Sequence, residues 1–130
     1  MLKQLSIQNY LLVENLSVEF TRGMTTVTGE SGAGKSILLD ALDLLLGARA
    51  KRDEILHGDS KIELFAEFDI RKSPDATAIL VQDDFTDSKA PECIIRRVIN
   101  PEGRSRAFIN NIPVTQQFLR SIADFLVDIQ

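Results

Sequence analysis

The chain has 130 residues, 44% of them hydrophobic and 26% charged, with a net charge of −4 at pH 7. That balance excludes a disordered polymer and is enough for one domain core. It also argues against a nonspecific nucleic-acid coat, although a local basic patch remains compatible with it. No apolar run approaches the ~20 residues that a bilayer requires, and Met1-Leu2-Lys3-Gln4 is not the start of a basic-then-apolar leader, so a cytoplasmic setting without membrane contact is expected. The single cysteine, Cys93, excludes an internal disulfide and fits a reducing compartment. The single histidine, His57, lies in His57-Gly58-Asp59 and reads as a solvated loop residue.

Leu2 to Ile7 has strand character, and Gln8-Asn9-Tyr10 is expected to break it. Leu16, Val18 and Phe20 then alternate with Ser17 and Glu19, and Thr21-Arg22-Gly23 turns this half-buried run into a second one, Met24-Thr25-Thr26-Val27-Thr28.

Gly29-Glu30-Ser31-Gly32-Ala33-Gly34-Lys35-Ser36 follows at once and matches the G-x-x-x-x-G-K-[ST] phosphate loop. A loop that wraps a triphosphate must turn tightly and bring backbone N–H groups against oxygen, and side chains at Gly29, Gly32 and Gly34 would obstruct both. Lys35 then reaches the β and γ phosphates, and Ser36 offers its hydroxyl to Mg²⁺. The helix expected from about Gly34 adds unpaired N–H groups and the positive end of its dipole. A nucleoside triphosphate and Mg²⁺ are the ligands this pattern implies, and the loop alone does not separate ATPases, GTPases and small-molecule kinases.

That helix carries Ile37, Leu38, Ala41, Leu42 and Leu45 on one side and Leu39, Leu44 and Leu46 over most of the rest, so it is expected to be buried nearly all round. Gly47 is a natural stop, and the segment Ala48 to Asp53 holds Arg49, Lys51 and Arg52. A strand follows in which Ile62, Leu64, Ala66, Phe68 and Ile70 alternate with Lys61, Glu63, Phe65, Glu67 and Asp69. Ser73-Pro74 caps a helix to about Gln82, and Asp83 to Pro91 reads as an acidic, mobile loop.

Glu92 to Ile99 and Arg104 to Asn110 form a hairpin around Asn100-Pro101-Glu102-Gly103. The simplest register pairs Ile99 with Arg104 and sets Arg97 against Arg106, an unfavourable like-charge pair that needs an anion such as DNA phosphate, acidic side chains, or a bulge. Thr115 caps a helix carrying Phe118, Leu119 and Ile122, and Phe125 to Ile129 reads as a last strand.

A GTPase would need Asn-Lys followed by Asp and a D-x-x-G switch, yet no Asn precedes a Lys and no Asp has Gly three residues later. A nucleoside kinase alternates parallel strands with helices, whereas antiparallel hairpins flank this loop. The order of strand, hairpin, phosphate loop, buried helix and antiparallel strands is similar to the N-terminal lobe of an ABC-type ATPase head, an α/β P-loop fold.

Met24 to Ser36, Leu45-Leu46-Gly47-Ala48-Arg49-Ala50 and Glu102-Gly103-Arg104-Ser105-Arg106-Ala107-Phe108-Ile109-Asn110 resemble the RecN family of SMC-like bacterial DNA repair ATPases. Glu30 is telling, because many relatives carry Pro there. The resemblance covers Met1 to about Ile129, and family members are several times longer. It implies that residues 1–130 are the N-terminal half of one head, without the coiled coil and without the C-terminal lobe that carries the signature motif, the Mg²⁺-binding Asp and the catalytic Glu. It further implies a cytoplasmic, nucleoid-associated protein in double-strand break repair, with the C-terminal lobe, a second head in a homodimer, and DNA as partners.

By the same resemblance Arg49 or Arg52 approaches the γ-phosphate or a neighbouring head, and Gln130 contacts Mg²⁺ and the attacking water. In the family about two more residues, often His-Gly, precede that glutamine. Asp128 lacks a following acid and reads as structural. Asn9 and Tyr10 would lie near the adenine. Hydrolysis is then expected only when the missing lobe is added, and a noncatalytic ATP-gated dimerisation module is the alternative. With its central helix uncovered, the fragment alone is expected to be poorly soluble or to self-associate.

Overall fold

The computed structural model describes residues 2–10, 13–21, 24–29, 35–48, 61–102 and 104–127. Seven strands form one antiparallel sheet: β1 (Leu2–Tyr10), β2 (Val13–Thr21), β3 (Met24–Gly29), β4 (Ile62–Phe68), β5 (Cys93–Ile99), β6 (Ser105–Ile109) and β7 (Ile112–Val114). Their order across the sheet is β3-β2-β1-β4-β5-β6-β7. Three helices accompany it: α1 (Lys35–Leu45), α2 (Pro74–Gln82) and α3 (Gln116–Val127).

The sheet is two-sided because the side-chain period of a strand is two. One face presents Leu5 and Ile7, Leu16 and Val18, Leu64 and Ala66, Ile95, and Ile109 to the helices, all essentially buried. Ala41, Leu44 and Leu45 of α1, Leu80 of α2, and Leu119, Ile122 and Leu126 of α3 complete that core. Each such leucine or isoleucine contributes about 2 kcal/mol by leaving water. α1 lies against β1, β4 and β5, and α2 packs on α3.

The alternation read over Ile62–Ile70 is the one observed, with Ile62, Leu64, Ala66, Phe68 and Ile70 all buried. The cap at Ser73 is also present, its hydroxyl accepting from Ala76 N–H at 3.4 Å before Pro74 opens α2. Thr115 caps α3 in the same way, accepting from Phe118 N–H at 3.0 Å.

Four expectations are corrected. β1 does not break at Gln8 but runs to Tyr10, which pairs with Val13 after an irregularity at Asn9, where φ is 58° and the side-chain amide donates to the Lys61 carbonyl at 3.1 Å; asparagine is one of the few residues that tolerate this region. The run from Phe125 is not a strand, since α3 continues to Val127; the spacing of Leu119, Ile122 and Leu126 is helical, which a two-period reading of the last residues misses. α1 is not buried all round, for Leu39 is 63% exposed. The Asp83–Pro91 loop is anchored near its start by Phe85, whose ring centroid lies 5.3 Å from that of Phe118 and whose carbonyl accepts from the Asn110 amide at 2.9 Å.

The fourth correction is the register of the second hairpin. Ile99 faces Ser105, Val98 faces Arg106 and Arg97 faces Ala107. Asn100 closes a five-residue connection, its N–H donating to Arg104 O at 2.9 Å while its side-chain oxygen accepts from Arg104 N–H at 2.8 Å. One residue of slip moves a side chain to the other face of the sheet, so Arg97 and Arg106 never meet. Beyond that hairpin the sequence reading also missed β7, which joins β6 through Asn110 and Asn111 at φ 51° and 69°, the asparagine-rich primed turn suited to two-residue hairpins.

Candidate nucleotide-binding site

β3 ends at Gly29 and α1 begins at Lys35, so the phosphate-loop motif spans a strand-to-helix junction. Glu30, Ser31, Gly32, Ala33 and Gly34 lie outside the described residues, and Lys35 and Ser36 are described as the first two backbone positions of the helix. Arg49, Arg52, His57, Asp128 and Gln130 also lie outside them. Asn9 and Tyr10 are described at the end of β1; Tyr10 is fully buried, and the Asn9 side chain is engaged with the Lys61 backbone. Among the described residues no group of His, Cys, Asp and Glu could hold a metal ion.

The far end of α1 is described in detail. Ala48 N–H donates to Asp43 O at 3.0 Å and Gly47 N–H to Leu44 O at 3.3 Å, the paired bonds of a Schellman ending. Gly47 sits at φ 113°. A Cβ there would stand 2.7 Å from Arg120 Cγ, so backbone conformation and close approach both require glycine.

Three side chains from two other elements close on this ending. Arg97 of β5 is 2% exposed, and its Nη1 donates to the carbonyls of Leu44 and Ala48 while Nη2 reaches Ser105 Oγ at 3.3 Å. Gln116 Nε2 and Arg120 Nε of α3 donate to the Gly47 carbonyl at 2.6 and 2.8 Å. Of these acceptors Leu44 O belongs to α1, and the Gly47 and Ala48 carbonyls belong to the turn that closes it. The C-terminal end of a helix carries the negative end of its dipole, so two guanidiniums beside it complement it by charge. Sequence reading missed this cluster. Its visible signal was Arg97, an arginine at the parity otherwise occupied by Cys93, Ile95 and Ile99.

On the opposite face of the sheet Arg96 lies between Phe65 and Phe108 across the strands, 4.4 Å above the Phe108 ring. Lys61, Val98, Asn100, Arg104, Ser105 and Arg106 line a cleft of about 650 Å³ at the hairpin end. The two ion pairs among the described residues, Lys3–Glu67 and Arg71–Asp69, involve none of its three cations. Arg71 holds the Asp69 carboxyl well below the usual carboxylate range by side-chain and backbone hydrogen bonds. Burial pushes the Cys93 thiol up to about 12, which leaves it protonated and unreactive at neutral pH.

Residues 4–125 match the family model described as AAA domain, and the chain belongs to that family. It is 43% identical over 130 residues to the DNA repair protein RecN of Haemophilus influenzae, covering 99% of this chain and 23% of that protein. Against RecN of Bacillus subtilis the identity is 37% over 129 residues, covering 99% and 22%. The chain thus spans about a quarter of the length of the curated relatives it matches. Among solved structures, an SMC ATPase from work on ATP-driven dimerization and DNA stimulated activation superposes with a TM-score of 0.66 at 22% identity, over 97% of this chain and 79% of that one. The Smc head domain of Pyrococcus furiosus, with an extended coiled coil and bound to the C-terminal domain of ScpA, gives 0.61 at 19% identity, over 96% and 33%. At those identities the likeness is one of fold, and it agrees with the P-loop head fold read from the sequence. No helix among the described residues is long and apolar enough to cross a membrane.

Proposed function

We propose that the chain is the ATP-binding, N-terminal lobe of an ABC/SMC-type head in a RecN-like ATPase that acts in DNA double-strand break repair and recombination. The observation that carries this reading is the junction between a strand ending at Gly29 and a helix opening at Lys35, with Gly-Glu-Ser-Gly-Ala-Gly-Lys-Ser written across it, in a chain of the AAA domain family. Residues 29–36 cradle the triphosphate, Lys35 neutralises β- and γ-phosphate charge, and Ser36 holds Mg²⁺. Arg49 or Arg52 faces the γ-phosphate or a second head, and Gln130 positions water beside Mg²⁺. Cleavage needs a positioned water and stabilisation of developing charge, and residues 1–130 supply the second in part only. The C-terminal lobe and the signature motif of a second head supply the rest, in a cytoplasmic, nucleoid-associated protein.

In the full-length polypeptide, Lys35→Ala should weaken Mg-ATP binding at least tenfold, about 1.4 kcal/mol, by calorimetry. Equal affinities would remove the assignment. Residues 1–130 alone should hydrolyse ATP no faster than background, and adding the C-terminal half should restore turnover in a concentration-dependent way. Steady turnover by residues 1–130 that Lys35→Ala abolishes would overturn the half-head reading; restored binding without turnover would favour a noncatalytic dimerisation module.

DNA phosphate is the partner chemistry of the cleft between Lys61, Arg104 and Arg106, where three cations stand without an ion pair among the described residues. Replacing all three by Ala in the full-length protein should lower DNA affinity and flatten the slope of log K against log salt by roughly 2 to 3. An unchanged slope would take DNA away from this surface.

A further inference from the structure

The C-terminal end of α1 is held by side chains from two other elements. Arg97 bonds the Leu44 carbonyl, and Arg97, Gln116 and Arg120 bond the Ala48 and Gly47 carbonyls of the turn that follows, while in the sequence Lys35 and Ser36 follow a glycine-rich segment. A helix of 11 residues transmits an axial displacement along its whole length, because its backbone hydrogen bonds run parallel to its axis. We infer that Arg97, Gln116 and Arg120 form a donor clamp on the C-terminal end of α1, at the Leu44 carbonyl and at the Gly47 and Ala48 carbonyls of the turn that closes it, that sets the helix's axial position, and are thereby positioning residues for the phosphate grip proposed at its other end. The inference rests on the proposed nucleotide site.

Four features of the cluster support a locating role. The donors come from both a strand and a helix, so α1 is fixed against two elements at once. The accepting carbonyls of Leu44, Gly47 and Ala48 are successive parts of one Schellman ending. Gly47 is the residue whose lack of a Cβ lets Arg120 close to bonding distance. Finally, the guanidiniums cap the negative end of a dipole whose positive end would face phosphate, so charge at the two ends acts in the same direction.

The test compares the full-length wild type, Lys35→Ala, the double variant Gln116→Ala with Arg120→Ala, Gly47→Ala, Arg97→Met and Arg97→Lys. The probes are Mg-ADP and inorganic tripolyphosphate, which carries no base and isolates the phosphate grip, titrated by calorimetry well below each variant's unfolding midpoint. Breaking the clamp should weaken both probes by a similar factor, about tenfold for Gln116→Ala with Arg120→Ala. Gly47→Ala should weaken them comparably, and Arg97→Lys should regain part of what Arg97→Met loses. Should Arg97→Met fail to fold, the surface pair on α3 and Gly47→Ala still decide the matter. Wild-type affinity for both probes in folded clamp variants, with only the unfolding midpoint lowered, would make the cluster merely structural and overturn the inference. Wild-type affinity in Lys35→Ala would instead show that the nucleotide reading, and with it the clamp's target, is wrong.

Discussion

Arg96 and Arg97 are adjacent in β5 and live in opposite environments. Arg97 points into the core, 2% exposed, with its charge spread over helix-end carbonyls and a hydroxyl. Arg96 lies on the outer face, over the Phe108 ring, where its Nε is buried without a hydrogen-bond partner among the described residues. The same side chain is therefore held by hydrogen bonds on one face and by an aromatic quadrupole on the other. A guanidinium can enter a core only when acceptors already wait there. The end of α1 supplies them to Arg97, while Arg96 shares a cleft on the outer face with Ser6, Gln8, Glu63 and Phe65.

The comparison breaks most visibly at Arg97. Arg97→Met in the full-length protein removes the donor to the part-buried Ala48 carbonyl and leaves the buried Leu44 carbonyl with Gly47 N–H alone among the described residues, so a loss of about 2 kcal/mol is expected in denaturant unfolding. A loss as small as that of an exposed arginine would mean that water reaches those carbonyls.

Cys93 sharpens the contrast on the same face, being a buried thiol whose ionisation is governed mainly by desolvation. Its folded pKa is about 12 against an ordinary value near 9, raised by desolvation. A raised acid favours the protonated fold, so this contribution is complete below pH 9 and is lost progressively as pH rises toward 12. Near pH 10 the loss amounts to about 1 kcal/mol, and Cys93→Ala should flatten the stability profile in that window. An equally steep profile in the variant would place the alkaline sensitivity elsewhere.

The smallest effect belongs to the outer face. Arg96→Ala should cost about 0.5–1 kcal/mol, the range of a partly exposed cation–π contact, and should leave nucleotide affinity untouched because Arg96 faces away from α1. A cost matching that of Arg97 would show that the two faces are energetically alike after all.

Much of the local architecture was legible in the sequence. The alternation of Ile62 to Ile70, the caps at Ser73 and Thr115, the stop at Gly47 and the strand-to-helix context of Gly29 to Ser36 depend on neighbours within a few residues. The proposed phosphate site also rests on the sequence, on glycine, lysine and serine at the spacing of the G-x-x-x-x-G-K-[ST] motif. Only the tertiary structure decided the rest. The slip that separates Arg97 from Arg106 turns on the hydrogen bonds of Asn100, and the helical end of α3 on the burial of Leu126 in a shared core. The clamp joins residues 53 and 73 positions apart, Arg97 to Leu44 and Arg120 to Gly47. A buried arginine shows in the sequence only as a break in an apolar pattern; which carbonyls satisfy it is settled by chain segments that meet only when the sheet and the helices close on one another.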